Sequence, residues 1–469
     1  MSTFSRRSFL KTSGLATVAA TIPAVSASRV RADEDNANPA EATPRVHAGE
    51  DNTIRIAWIG CGGRGNGAVR QALNADPNTK LWAVADAFKD RAFNAVKSVV
   101  ETHGEDRVDV PAERTFFDLD GYKAAIDTLR DGDVVLLTTP QGFRPITFEY
   151  AVNKKEMINV FAEKPLGVDI PGLKRILAAN EVAKQKGIQV GVGLNNRHYD
   201  RTRETVEAIH EGKLGDVLNT WVYRLQGPHN LNWQDSRTPL QNEIANIFCF
   251  DWTSGGFIVD ALIHNIDICC WCMQDYPIAA NGSGGRLVDP HDKGLRRSKD
   301  QLIDCAAVEY VFKDGRKMML QTRTVPNCWN FFQANVQGTK GCSQLGEGVG
   351  DPAIYSGTEM LNPETRNAIW KPESAPNDSY QDEHIRLFDA IRNNKPWNEV
   401  QYAVDATATA ILGRTAVETG QRVSMDEIWN STRELVPNID ALRIDGDSPA
   451  ERDADGNYWI GTPGVTKVS

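Results

Sequence analysis

Residues 54–65, Ile54-Arg55-Ile56-Ala57-Trp58-Ile59-Gly60-Cys61-Gly62-Gly63-Arg64-Gly65, join a short apolar run to a glycine-rich turn. The run predicts a buried strand. The G-x-G-x-x-G pattern after it allows a tight turn and a close backbone approach at the start of a helix. Asp86 ends the next predicted strand about 20 residues past the last glycine, where a carboxylate can accept from ribose hydroxyls. This context predicts a dinucleotide site built from Gly60, Gly62, Gly63, Arg64, Gly65 and Asp86.

The carboxylate at the end of that second strand also bears on which dinucleotide fits. A negative charge at Asp86 repels the 2′-phosphate of NADP, so the sequence favours NAD. Arg64 and Lys89 are nearby cations that would soften this preference, and Arg64 is equally explained as a solvated charge. NAD is therefore the expected cofactor, and NADP stays open.

Apolar β-branched runs and helical patterns alternate between residues 54 and 192. Such alternation specifies a parallel sheet with helices on both faces, so a Rossmann domain is predicted over residues 53–193. The predicted strands span residues 54–59, 81–85, 134–137, 158–162 and 188–192, and the predicted helices span residues 68–75, 91–102, 146–153 and 173–186.

The pattern changes after Asn195, where strands with hairpin-like spacing follow one another. Asp314-Gly315 is a good turn between two of them. We expect a second α/β domain over residues 194–469, built on a mostly antiparallel sheet. Its predicted strands span residues 217–225, 306–312, 317–324 and 331–337, and its predicted helices span residues 203–211, 257–273, 384–392 and 404–418.

Length and composition exclude several classes of protein. The chain has 469 residues, 41% of them hydrophobic and 24% charged, with a net charge of −10. These values indicate a folded protein of two or three domains rather than a disordered or fibrous one. The acidic balance and the lack of a basic stripe argue against a nucleic-acid partner. Eight cysteines in so long a chain are no disulfide scaffold, and Cys269-x-x-Cys272 lies in an apolar run that favours buried packing thiols.

The N-terminus carries a twin-arginine pattern, Ser5-Arg6-Arg7-Ser8-Phe9-Leu10-Lys11, before an uncharged stretch rich in Ala, Thr and Ser. It resembles a Tat signal cleaved after Ala27 or Ala32. We therefore expect a leader over residues 1–32, a linker over residues 33–52, engagement of the Tat translocon and a periplasmic location. The alternative is a disordered tail with accidental arginines. Because this route carries folded protein, a cofactor bound in the cytoplasm would travel with the protein and need not dissociate.

Two predicted strands end in turns at the edge of the sheet where α/β folds place their ligands. Thr139 and Pro140 follow one strand, and Glu163-Lys164-Pro165 follows another. We expect Thr139, Pro140, Glu163 and Lys164 to contact the cofactor. An ordinary turn is the alternative for the second motif. A lysine beside a nicotinamide could instead bind a substrate hydroxyl and assist its proton loss.

Asp260 and His264 are spaced by one helical turn after Ser254-Gly255-Gly256. The carboxylate can orient the imidazole, whose ordinary pKa suits a general base. A solvated or capping pair is the alternative. No further His or Cys has ligand-like spacing, so no metal site is predicted.

The glycine loop, Glu163-Lys164-Pro165 and the Gly-Gly segment before Asp260 together resemble the glucose-fructose oxidoreductase and inositol dehydrogenase family (Gfo/Idh/MocA). The resemblance extends from about Ile54 to about Trp429 and is greatest to exported members. It implies an open-faced second sheet in a domain that binds substrate and could mediate homo-oligomerisation. It also implies oxidation or reduction of sugars and polyols, with Lys164, Asp260 and His264 as the catalytic trio. Arg144 departs from the family pattern, since many members place a histidine after the Thr-Pro turn.

The substrate contacts are less well defined by the sequence. Arg197 and Tyr199 follow the last predicted parallel strand, where substrate binding and interdomain packing are both open. Trp233 and Trp252 could stack on a sugar ring or simply pack. Three functions remain: a sugar or polyol oxidoreductase, a glycoside-cleaving enzyme that oxidises its substrate only transiently, and a catalytically silent sugar-binding protein. Net cofactor reduction, aglycone release without net reduction, or sugar binding alone would distinguish them.

Overall fold

The computed structural model describes residues 52–286, 299–346, 349–357 and 368–468. The predicted leader and all of the predicted linker except Asn52 lie outside the described residues.

The first domain is built on a parallel sheet of six strands. Its strands are β1 (Ile54–Ile59), β2 (Thr79–Asp86), β3 (Thr115–Phe117), β4 (Val134–Leu137), β5 (Asn159–Ala162) and β6 (Val190–Val192). They lie in the order β3-β2-β1-β4-β5-β6, which confirms the predicted doubly wound arrangement. Its helices are α1 (Gly63–Ala75), α2 (Lys89–His103), α3 (Gly121–Asp127), α4 (Arg144–Asn153) and α5 (Ile170–Lys186).

Strand β1 shows why this sheet needs helices on both faces. Ile54, Ile56 and Trp58 pack in one apolar cluster, while Ala57 and Ile59 pack in another. Successive side chains of a strand point to opposite faces, so an almost continuous apolar run buries both. Strand β3 was not predicted, because three residues are too few to show a periodicity.

The second sheet has nine described strands and is mostly antiparallel, as predicted. The strands are β7 (Val217–Gln226), β8 (Ala279–Gly285), β9 (Cys305–Val311), β10 (Lys317–Thr324), β11 (Phe331–Gly338), β12 (Gly341–Leu345), β13 (Ala353–Ser356), β14 (Ala368–Trp370) and β15 (Val423–Ser424). Their order is β14-β13-β12-β11-β7-β10-β9-β8-β15, with one parallel pair between β7 and β10. The predicted turn at Asp314-Gly315 joins β9 to β10, and Gly315 has a φ of +90°.

The helices of this second part flank the sheet and extend beyond it. They are α6 (Asp200–His210), α7 (Pro239–Ala245), α8 (Asp251–Ser254), α9 (Gly256–Ala261), α10 (Ile263–Met273), α11 (Ser379–Arg392), α12 (Val400–Thr419) and α13 (Met425–Trp429). No single described helix is long and apolar enough to cross a membrane; the bent pair Asp251–Ala261 and Ile263–Met273 passes that test jointly, by length and composition.

The prediction of one helix over residues 257–273 is wrong. The chain breaks at Leu262, and the segments Asp251–Ala261 and Ile263–Met273 are inclined by 47°. Two side chains take the carbonyls at the end of α9: Lys164 Nζ donates to Asp260 O at 2.9 Å, and Arg224 Nη1 donates to Ala261 O at 2.9 Å. Since those carbonyls would otherwise accept from amides of the next turn, the helical ladder ends there.

Helix α11 packs on the first sheet although its sequence lies far beyond residue 193. Its Leu387, Phe388 and Ile391 share an apolar cluster with β1. Trp397 lies shortly after α11, and its carbonyl oxygen accepts from the amide of Val190 in β6 at 2.9 Å. The division at residues 193 and 194 stays a prediction, and the chain after it contributes a helix to the Rossmann layer.

Candidate active site

Two glycines of the loop pack closely against neighbouring backbone, and two others do not. A Cβ at Gly65 would lie 2.2 Å from Gly60 O, and one at Gly60, where φ is +92°, would lie 2.7 Å from the Thr138 carbonyl carbon. A Cβ at Gly62 or Gly63 meets nothing within 4 Å. Two of these glycines therefore serve packing, and the other two leave the start of α1 free for a pyrophosphate, as the predicted site requires.

Asp86 is fixed at the end of β2 by two backbone amides. Cys61 N donates to Asp86 Oδ2 at 2.8 Å, and Phe88 N donates to Asp86 Oδ1 at 2.9 Å. Burial raises the pKa of this carboxyl above its ordinary value, while Arg91, with its Nε 3.9 Å from Oδ1, acts in the opposite direction. The carboxylate is thus oriented, and its free lone pairs can accept from ribose hydroxyls.

A cavity of about 570 Å³ lies against this loop, at the carboxyl ends of β1, β2 and β4. Strand order reverses between β1 and β4, which is where an open α/β sheet binds its ligand. The first domain contributes a wall containing Gly60, Gly62, Gly63, Asp86, Thr139 and Pro140, and the second part contributes Asn230, Asn232 and residues 244–249. Six of the residues predicted to bind the cofactor therefore line one cavity, whose loop, open amides and carboxylate fit a dinucleotide.

The cations near the cavity differ from those the sequence suggested. Arg64 does not line the cavity and, although partly exposed, is paired with carboxylates: its Nε donates to Glu163 Oε1 at 2.5 Å, and its Nη2 lies 3.7 Å from Glu383. Lys89 Nζ lies over the Phe117 ring, 5.2 Å from its centroid. Arg91 is the cation that lines the cavity beside Asp86. Sequence reasoning missed it because nothing but its place in the first turn of α2 marks it.

Lys164 and Asp260 contact each other but do not line the cavity themselves. Lys164 Nζ is 3.7 Å from Asp260 Oδ1 besides its bond to the carbonyl oxygen. Gln141, which follows Pro140 of the cavity wall, donates from Nε2 to Asp260 Oδ1 at 2.5 Å. A continuous set of contacts therefore joins the cavity to the predicted catalytic pair, and Gln141 is a further site residue that the sequence did not reveal.

His264 lies in the first turn of α10, with 4% of its surface exposed. Asp260 belongs to α9 on the other side of the break at Leu262, so the two residues do not share one regular helix as expected. The break follows from Lys164 taking the carbonyl of Asp260, which in a continuous helix would accept from the amide of His264. The same lysine thus shapes the backbone on which both other members of the trio stand.

Arg144 takes a structural position where the family pattern often has histidine. Its guanidinium donates to Thr139 O at 3.0 Å and to Pro165 O, so it ties together the turns after β4 and β5. Burial lowers the pKa of Arg144 to about 10, against the opposing influence of Glu163 and Asp260. These bonds hold the two turns that carry the predicted cofactor and catalytic residues.

The predicted substrate residues are scattered. Arg197 is largely buried and forms a bidentate pair with the buried Asp267, with both N–O distances 2.8 Å, so its guanidinium is held by a carboxylate of this chain. Tyr199 donates from its hydroxyl to Gly350 O at 3.0 Å. Trp233 packs at the edge of the core near Lys299. Trp252 is 1% exposed, which leaves no face for a sugar. None of these four residues lines the large cavity.

The buried cysteines carry no sign of a metal or redox site. Burial raises the pKa of Cys269 to about 12 and raises those of Cys270 and Cys272 well above the ordinary value. Within the described residues, no three His, Cys, Asp or Glu side chains are grouped to hold a metal ion. The thiols therefore pack as small apolar groups.

Comparison with known proteins adds independent evidence. Residues 202–343 match the family model of the GFO/IDH/MocA C-terminal domain. The chain is 28% identical over 180 residues to dTDP-3,4-didehydro-2,6-dideoxy-alpha-D-glucose 3-reductase of Actinomadura kijaniata, covering 38% of this chain and 45% of that protein. It is 24% identical over 237 residues to inositol 2-dehydrogenase of Rhizobium meliloti, covering 50% and 60%. Both alignments span less than two thirds of the relative. These matches support the family that the motifs indicated.

A solved structure agrees on the fold. GenD2 from gentamicin A biosynthesis, in complex with NAD, superposes with a TM-score of 0.57 at 20% identity, covering 81% of this chain and 99% of that one. The match covers most of the chain, so the two proteins share the overall fold.

Proposed function

We propose that this protein is a nicotinamide-dependent oxidoreductase that acts on a CH–OH group of a sugar or polyol, with NAD preferred over NADP. The observation that carries the proposal is the contact chain from the cavity through Pro140 and Gln141 to Asp260 and Lys164. The similarity to a sugar-nucleotide reductase and an inositol dehydrogenase supports the class of substrate.

The cofactor would be held by the residues of the cavity. The amides of Gly62 and Gly63 would bind the pyrophosphate, Asp86 would accept from the ribose hydroxyls, and the turn at Thr139-Pro140 would contact the nicotinamide end. When bound, the nicotinamide supplies the acceptor for the hydride that leaves the carbinol carbon. Preference for NAD rests on Asp86, whose buried carboxylate disfavours a 2′-phosphate, while Arg91 beside it limits that preference.

The remaining chemistry belongs to the trio. Lys164 binds the substrate hydroxyl with its ammonium group and lowers the cost of removing the proton. His264 receives that proton as the general base. Asp260 places the lysine through both its carbonyl and its carboxylate. Gln141 in turn fixes the orientation of that carboxylate.

Export by the Tat route is part of the proposal. A periplasmic enzyme has no supply of fresh cytoplasmic cofactor, so a dinucleotide bound before export would have to be reoxidised in place. A second sugar, or the same substrate later in the cycle, would do so.

One assay tests the function directly. Purified mature protein is supplied with NAD or NADP and a panel of sugars, polyols and glycosides, while absorbance of the reduced nicotinamide and bond cleavage are followed together. Net reduction with a free sugar or polyol is the expected result. Aglycone release without net reduction would replace the proposal by redox-neutral cleavage, and sugar binding without either reaction would contradict an enzymatic role.

A further inference from the structure

The wall of the cavity that the second part of the chain contributes is held by a buried carboxylate. This wall includes residues 244–249, which run from the end of α7 to the start of α8. Glu243 precedes them on α7 and has no exposed surface. Its position makes it the group that fixes this wall to the rest of the molecule.

Three donors converge on that carboxylate. Trp252 Nε1 donates to Oε2 at 2.8 Å, Ser448 Oγ donates to Oε2 at 2.6 Å, and Tyr458 OH donates to Oε1 at 2.6 Å. Arg452 Nη2 lies 4.0 Å from Oε1. Three of these four partners belong to residues 444–459, which we call the C-terminal clasp.

Further contacts join the clasp to the same wall. Gln301 Nε2 donates to Trp459 O at 3.1 Å, and Gln301 N donates to Cys249 O at 2.9 Å. The Tyr458 and Phe250 rings are 4.9 Å apart between centroids. Both ends of the 244–249 wall are therefore anchored, one through Glu243 and the other through Gln301.

The segment that leads into this wall also reaches the adenosine end of the predicted site. Arg237, just before α7, lies over the Phe88 ring at 5.1 Å from its centroid. Phe88 follows Asp86 and Ala87, which line the cavity. A dinucleotide bound in this cavity would contact both the glycine loop and this wall, so the position of the wall would affect how firmly it is held.

We propose that the C-terminal clasp sets the release rate of the dinucleotide, with Glu243 as a positioning residue that locks the 239–249 segment over the cavity. The inference rests on the proposed function and adds the element that retains the cofactor. Opening the wall separates a buried carboxylate from its donors, and each such loss is costly because the charge is left poorly solvated. Weakening the clasp should therefore speed release of the dinucleotide.

The test measures dissociation of NADH from full mature protein by stopped-flow fluorescence, with excess NAD as the displacing ligand. Tyr458→Phe and Ser448→Ala each remove one hydroxyl donor to Glu243 without adding volume. We expect each to accelerate NADH release by roughly tenfold, and the double variant to accelerate it further. The matched control is Ser374→Ala, which removes a hydroxyl donor to Glu204 away from the cavity wall.

The outcomes separate this inference from the proposed function. If the wild type binds NADH and the clasp variants release it at the wild-type rate, the clasp is refuted and the cofactor site stands. If the wild type binds neither NADH nor NADPH, the proposed function itself fails. Circular dichroism of each variant guards against a folding effect; were Ser448→Ala unfolded, Tyr458→Phe alone would decide.

Discussion

The two ends of the candidate site differ in the groups that form them: mainly backbone at the dinucleotide end, and side chains at the chemical end. At the dinucleotide end, backbone geometry does the binding: two glycines pack without room for a Cβ, two leave the helix start open, and amides fix Asp86. At the chemical end, side chains from distant segments converge, and Lys164 ends a helix by taking the carbonyl of Asp260. The first end should thus be sensitive to added atoms, and the second to removed ones.

Removing the side chains of the chemical end should have the largest effect. Lys164→Ala or His264→Ala should reduce kcat by about 10²–10⁴-fold, because each removes a group positioned for proton transfer. NADH binding should survive, since neither residue lines the cavity. Steady-state kinetics on a confirmed substrate and an NADH titration test this together. Lys154→Ala, which removes a surface lysine paired with Asp127, is the control. Near wild-type turnover in both variants would refute the assignment of Lys164, Asp260 and His264 as the catalytic trio.

Adding one methyl group at the dinucleotide end should separate packing glycines from binding ones. Gly65→Ala places a Cβ 2.2 Å from Gly60 O, so it should lower the free energy of unfolding by about 1–3 kcal/mol or more. Gly62→Ala meets no neighbour and should fold normally, yet weaken NADH binding by about tenfold because the methyl occupies the approach to the pyrophosphate. Urea unfolding and NADH titration distinguish the two. Equal stability of both variants would contradict this division.

Removing the charge of Asp86, the carboxylate expected to bind the ribose, should change the preference between NAD and NADP more than it changes the affinity for NAD. Asp86→Ala or Asp86→Ser should narrow the preference for NAD over NADP by about tenfold, since the charge that repels the 2′-phosphate is gone. Arg91→Ala should widen the preference, because Arg91 is the cation at this end of the cavity. The ratio of kcat/KM for the two cofactors measures both effects. A wild-type preference for NADP would show that Arg91 outweighs the carboxylate.

The smallest expected effect is a change with pH in the free energy of unfolding, caused by Asp251 at the start of α8. Burial, together with Glu418, raises the pKa of Asp251 from 3.8 to about 7. Between those values the folded protein holds a proton that the unfolded chain has lost, so the free energy of unfolding falls as pH rises. Asp251→Asn should flatten this slope. Urea unfolding at several pH values checks it, and an unchanged slope would show that another group is responsible.

The sequence predicted the dinucleotide end better than the chemical end for a physical reason. The glycine loop is a local motif in which strand, turn and helix follow one another, so periodicity and spacing identify it. Lys164 and Asp260 were singled out by motif, but their contact depends on how two domains pack. Gln141 had no signal of its own, since a glutamine after a proline is common in turns.

Two arginines and one predicted helix show what the sequence alone leaves out. Arg64 and Arg197 look like ligand-binding cations in sequence, yet both are committed to buried carboxylates. The predicted single helix over residues 257–273 contains no Gly or Pro to mark a break, and it ends early where Lys164 and Arg224 take its carbonyls. Tertiary contacts decided each case, and a single sequence does not record them.

The central claim is that one dinucleotide joins the two ends of the site. A crystal structure of the mature protein with NAD tests it most directly. The account predicts the pyrophosphate against the amides of Gly62 and Gly63, the adenosine ribose on Asp86, and the nicotinamide beyond Pro140 towards Lys164. A dinucleotide bound with its nicotinamide at Asp86, or one bound outside this cavity, would contradict the account.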